Sequence, residues 1–232
     1  MFAGSLRHTL MPCAMLAVLL GGTAAHAERL QMTAPLGGTL SVPTVSMKGN
    51  RFLATLRQQY DFSCGSAAVA TLLTHHYGWE VDESSVFQVM FEHGDQEKIR
   101  HDGFSMLDMK RYLDSRGFET NGVEASLDEL AGVGIPAIAL INENGYAHFV
   151  VIKGVRDGDV LLGDPAMGTR VVARTDFERH WTNGILLVVT SHMELARFNH
   201  ADDWSVRPHA PVRSHQDNIV RHSLTRPSMV DF

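Results

Sequence analysis

The segment from Cys64 to Tyr77 constrains this chain more than any other. Small and apolar residues (Ala67, Ala68, Val69, Ala70, Leu72 and Leu73) fall nearly all round a helical wheel, so the run predicts a buried helix rather than a surface one, ended by Gly78. Its first residue is a cysteine, and the 232-residue chain has only one other, Cys13.

Cys13 lies in a stretch expected to be removed. Residues 1–27 have Arg7 and His8 at the start, an apolar run from Leu10 to Leu20 and Ala25-His26-Ala27 as a small-x-small cleavage site, which together read as a secretory signal. The apolar run is too short to span a bilayer. A lipid anchor on Cys13 is disfavoured because Pro12 stands where a small residue is expected. Cys64 is then a lone thiol in an exported, periplasmic protein and cannot be half of an internal disulfide.

From about Glu28 onward the length suits one core. The formal net charge of −6 becomes −7 once Arg7 leaves, and no basic patch interleaved with aromatics points to nucleic acid. No further apolar stretch is long enough for a stable membrane span.

The expected organisation is an extended arm or linker over residues 28–50, an organised domain over 51–190 and a polar, histidine-containing tail over 191–232. After the Cys64 helix, Asp82 caps a second helix with Val86, Val89 and Met90 inward. His93 to Gly103 is polar and reads as a loop. Ser105, with Asp108 three places on, opens a third helix burying Leu107, Tyr112, Leu113 and Met109, with Gly117 as stop. The period then changes. Pro136–Ile141 and Ala147–Lys153 flank Asn144-Gly145 as a hairpin, Asp157-Gly158 makes the next turn, and strands follow at Val160–Leu162, Thr169–Ala173 and Ile185–Thr190, with a helical turn at Thr175–Trp181. Helices first and an antiparallel sheet second define an α+β chain.

A nucleophilic thiol needs a lowered pKa, a base and donors for an oxyanion. Helix-start amides and dipole would make Cys64 acidic, with Gly65 allowing close approach, and the thiol is expected to be exposed. His148, among apolar strand residues, could be a base or a satisfied core histidine. Asp164, in Gly163-Asp164-Pro165, could orient that imidazole from a neighbouring strand or be a turn aspartate before proline. Gln58, or Gln59 beside it, could donate to an oxyanion with the Cys64 amide, or be an ordinary loop residue.

Gln58, the Cys64-Gly65 pair heading an alanine-rich helix, His148 followed by apolar β residues, and Gly163-Asp164-Pro165 sixteen residues after it resemble the double-glycine leader, or bacteriocin-processing, cysteine peptidases. The resemblance spans about Arg57 to Thr190. It implies a papain-like fold and cleavage of a peptide bond through an acyl-enzyme. Cys64 would be the nucleophile, His148 the acid and base, Asp164 its orienting group, and Gln58 with the Cys64 amide the oxyanion donors.

The segment Arg57 to Ala68 looks most like the free-standing exported members, one group of which accompanies secretion of functional amyloid fibres. The implied partners are a protein or peptide substrate and components of such a system. Ser63 stands where exporter domains commonly carry aspartate. Gly21-Gly22 and Gly37-Gly38 read as bystanders rather than self-processing sites.

Thirteen histidines raise the question of a metal, but no His-Glu-x-x-His pattern or cysteine pair accompanies them, so neither metal nor other cofactor is expected. Two other functions fit the same constellation: acyl transfer to an amine instead of water, and a peptide-binding or chaperone-like module.

Overall fold

The computed structural model describes residues 28–33, 39–44, 47–143 and 145–206. The signal segment with Cys13, the two Gly-Gly pairs, Asn144 and the tail beyond Val206 lie outside the described residues.

Within the arm, β1 (Glu28–Thr33) pairs antiparallel with β2 (Thr39–Thr44). A second compact unit, from residue 46 onward, begins with α1 (Met47–Asn50) and then α2 (Cys64–His76). Helices α3 (Glu83–His93), α4 (Gln96–Asp102) and α5 (Met106–Ser115) follow. After them come β3 (Thr120–Glu124), α6 (Leu127–Val133), β4 (Ala137–Glu143), β5 (Tyr146–Arg156), β6 (Asp159–Asp164), β7 (Gly168–Ala173), α7 (Arg174–His180) and β8 (Trp181–Val189). The six later strands form one antiparallel sheet in the order β3-β8-β4-β5-β6-β7.

The apolar runs are continuous because the sheet is covered on both faces. Phe149, Val151, Ile138, Leu187 and Val189 share one core with α2, α3 and α5. Their strand neighbours Val150, Ile152, Ala137, Ala139, Leu186 and Val188 share the other with α6 and α7. Helix α2 meets β5, β4 and β6 on one side and α3 and α5 on others, so Ala67 to Ala70, Leu72 and Leu73 are fully buried.

Capping follows the chemistry of the side chains. Asp82 accepts from the Ser85 amide at the head of α3, and Ser105 with Asp108 forms a complete capping box on α5. The β5–β6 turn pairs Arg156 with Asp159 around Asp157 and Gly158, whose φ values of 49° and 80° are those of a primed two-residue turn.

Two expectations are corrected and two features are added. The segment from His93 to Gly103 is not a loop throughout: Asp95 accepts from the Lys98 amide and starts α4, which needs only Ile99 as its buried anchor. Leu107 is 51% exposed, because it lies two residues, about half a helical turn, from Met109 on α5. Strand β3 and helix α6 are additional elements. The start of the tail is attached: Asn199 donates its amide to Lys153 O at 2.9 Å, Arg197 to His76 O at 2.9 Å, and Trp204 is buried.

Candidate active site

The first turn of α2 begins without an ordinary cap. The Ser63 hydroxyl is diverted to its own preceding turn, accepting from Tyr60 N and donating to Tyr60 O, each at 3.1 Å. The backbone amides of Phe149 on β5, of Gly65 and of Cys64 itself favour the charged form of the Cys64 sulfur. Gly65 has a packing reason to be glycine: a Cβ there would stand 2.9 Å from Phe104 Cβ.

The expectation of an exposed, acidic thiol is overturned. Cys64 is 7% exposed, and burial pushes its pKa up, with Asp164's negative charge adding to this, against the pull of the three amides. A helix buried on all sides buries its first residue as well.

His148 and Asp164 are brought together. Asp164 lies at the end of β6 with no exposed surface, and its Oδ2 accepts from His148 Nε2 at 3.2 Å. Its Oδ1 accepts from the amides of Ala166 and Met167 at 2.9 and 3.1 Å, a turn that Pro165 introduces. Burial alone would raise the Asp164 pKa, but the His148 hydrogen bond and charge, Arg170 and the Ala166 amide together hold it below the ordinary value. An ionised carboxylate only accepts, so Nε2 carries a proton, and in the neutral ring the lone pair falls on Nδ1. Nδ1 is buried and has no hydrogen-bond partner among the described residues, the Cys64 thiol included.

Of the two glutamines, Gln58 is tied in and Gln59 is exposed. The Gln58 amide nitrogen of the backbone donates to Pro165 O at 3.1 Å, linking its loop to the Asp164 turn. Its side-chain Nε2 donates to Tyr60 O at 3.0 Å and less closely to Asp61 O at 3.4 Å.

Three neighbours were not found from sequence. Arg170 on β7 donates through Nε to Asp164 Oδ2 at 3.0 Å and through Nη2 to Glu143 Oε1 at 2.8 Å, bracing the carboxylate against a second one. Tyr146 stacks on His148 with ring centroids 5.3 Å apart and donates its hydroxyl to Asp61 O at 3.0 Å. The two-residue spacing of Tyr146 and His148 on one strand was a usable signal. Arg170 needed the β6–β7 register, in which it stands opposite Leu162.

Among the described residues no group of three or more His, Cys, Asp or Glu side chains is placed to hold a metal, and no helix is long and apolar enough to cross a membrane.

A cysteine heading a buried helix, packed against antiparallel strands that carry a histidine and its carboxylate, is the layout of a papain-like cysteine peptidase. The chain belongs to the peptidase C39 family, whose model matches residues 53–194, and is a cysteine peptidase. It is 43% identical to the "probable functional amyloid protease FapD" of Pseudomonas aeruginosa over 155 residues, covering 67% of this chain and 68% of that one. The protein of the same name from Pseudomonas fluorescens is 39% identical over 174 residues, covering 75% and 76%. The crystal structure of the peptidase domain of Streptococcus ComA, a bifunctional transporter, superposes with a TM-score of 0.50 at 20% identity, covering 59% of this chain and 97% of that domain, and supports the fold.

Proposed function

We propose that the chain is an exported, periplasmic endopeptidase that cleaves a protein of a functional-amyloid secretion system, with Cys64 as nucleophile, His148 as acid and base, and Asp164 and Gln58 in support. The observation that carries this reading is the buried His148–Asp164 pair at 3.2 Å, whose free lone pair on Nδ1 belongs to a residue adjoining the amide that contacts Cys64.

In this reading the buried thiol keeps its proton until a substrate carbonyl arrives. Nδ1 takes that proton as Sγ attacks the carbonyl carbon, and Asp164 stabilises the imidazolium formed. The oxyanion is held by the Cys64 amide and by Gln58 Nε2, which exchanges its longer hydrogen bond to Asp61 O for the new acceptor. His148 then protonates the leaving amine, and water, deprotonated by the same imidazole, releases the acyl group.

Export is supported by the signal pattern in residues 1–27, and the amyloid context by the names of the two Pseudomonas relatives. The test is to incubate the protein purified from periplasm, and a Cys64→Ala variant, with proteins exported alongside it, and to map products by mass spectrometry. Cleavage by the first alone is expected. Equal cleavage by both would remove Cys64 from the reaction, and capture without cleavage would favour a binding module.

A further inference from the structure

Beneath the nucleophile lies a carboxyl group that the reaction above does not use. Glu83, the first residue of α3, is 4% exposed, and its Oε2 is buried without a hydrogen-bond partner among the described residues. Its Oε1 stands 2.8 Å from the Ser66 hydroxyl oxygen. Ser66, itself fully buried, also stands 2.9 Å from the carbonyl oxygen of Ser63.

A serine hydroxyl has one proton to give, and both of these neighbours are oxygens. A carbonyl can only accept. If Ser66 donates to Ser63 O, the Glu83 oxygen must be the donor to Ser66. An ionised Glu83 would instead bury a charge with one oxygen unsatisfied, which is the costlier arrangement. Burial first, and the charge of adjoining Asp82, favour the neutral acid, while the Ser66 and Ser63 hydroxyls act the other way, and the balance lies above the ordinary carboxyl range.

The Ser63 carbonyl belongs to the same peptide plane as the Cys64 N–H. A donor on that oxygen orients the plane and polarises the amide at its other end. Ala67 N also donates to Ser63 O, at 3.2 Å, so the Ser66 hydroxyl is the second of two donors on this oxygen. We infer that Glu83 is a neutral carboxylic acid in the folded protein and a positioning residue, its proton directing the Ser66 hydroxyl onto Ser63 O so that the Cys64 amide is aimed and strengthened as an oxyanion donor. The inference about aim rests on the role proposed for that amide; the inference about the proton does not.

The two parts are read separately. Infrared spectra of the protein at pH 7, in a Cys64→Ala background and with or without Glu83→Gln, report the proton: a neutral-carboxyl C=O band is expected and is expected to vanish on substitution. A spectrum with no such band overturns the proposal whatever the enzyme cleaves. Ser66→Ala reports the aim. It is expected to lower kcat about fivefold to tenfold with KM unchanged, the worth of one hydrogen bond. It should slow Cys64 alkylation by iodoacetamide less than it lowers kcat, because that displacement forms no oxyanion and the Phe149 and Gly65 amides still act on the sulfur. Equal losses in kcat and alkylation, or no loss in kcat, would overturn the positioning role. Cleavage that survives Cys64→Ala would instead refute the Cys64 reading while leaving the infrared result standing.

Discussion

His148 and Arg170 donate to the same oxygen of Asp164, at 3.2 and 3.0 Å. One carboxylate oxygen therefore holds an imidazole and a permanent cation together, and the cation is itself held by Glu143. Arg170 fixes the carboxylate in place between the imidazole and Glu143.

Arg170→Met is accordingly expected to lower kcat about tenfold through looser orientation of His148 with KM little changed, on the scale of one charge-assisted hydrogen bond. Arg170→Lys should recover only part of the activity, since an ammonium cannot span two carboxylates in the plane of a guanidinium. Steady-state kinetics of both variants reads these effects, and an unchanged kcat in Arg170→Met would separate Arg170 from the orientation of His148.

Asp164→Asn keeps an acceptor but loses the charge and the fixed tautomer, and kcat is expected to fall about 100-fold or more. Stability responds as well. The folded pKa of Asp164 lies below its unfolded value, so its contribution is present above about pH 4 and is lost as pH falls through the folded value. The melting temperatures of the native protein and the variant should therefore differ at pH 7 and converge below pH 4. A constant gap would mean that the loss comes from packing alone.

Gly65→Ala places a methyl group 2.9 Å from Phe104 Cβ, an atom that cannot swing aside. The cost expected from such overpacking is about 1–3 kcal/mol, read as a shift in urea midpoint. Because α2 must move to relieve it, cleavage should fall further than stability, and an unchanged kcat would show that the helix start tolerates the shift.

The Cys64 helix was legible because burial on all sides leaves a sequence with almost no polar face. Cys64, His148 and Asp164 stood out through their order and spacing, which resemble those of the double-glycine peptidases; the residues beside His148 and Asp164 taken alone left a core histidine and a turn aspartate open. Other parts left no such trace. Helix α4 has a single buried anchor, Ile99, and so no period to detect. Strand β3 buries mainly Thr120, and its pairing with β8 comes from far along the chain. Leu107 is apolar yet exposed, and only the helix phase set by Met109, Tyr112 and Leu113 reveals it. The thiol's burial is a tertiary property of the packed helix, invisible in the residues beside it.

Lys153, with no exposed surface, donates to Ala54 O at 2.7 Å and pairs with Asp203 at 3.1 Å, joining β5 to the segment that follows the sheet. Burial lowers its pKa, with Asp203 acting to restore it. Asp203→Asn leaves a buried ammonium without its counter-charge and is expected to cost about 2–4 kcal/mol. Adding Lys153→Met should return most of that loss, and urea midpoints of the single and double variants measure the coupling. If the two substitutions simply add, the pair contributes nothing specific to holding the segment.

His76 pins the same segment from α2. Its Nδ1 meets Arg197 O while its Nε2 is buried without a partner among the described residues, and burial, followed by the charge of Lys153, holds its pKa down to about 3. The lowered value means that the unfolded chain binds the proton first. Stability is full above about pH 6.5, the ordinary histidine value, and is lost progressively as pH falls from there toward about 3. His75 and Asp203 also act on this ring, in opposite senses, and neither reverses the direction. His76→Asn supplies an N–H in place of Nδ1 and does not titrate. Its stability between pH 6.5 and 4 should consequently fall less steeply than that of the native protein, as followed by urea midpoints at each pH. Parallel profiles for the two would place the acid sensitivity elsewhere in the domain.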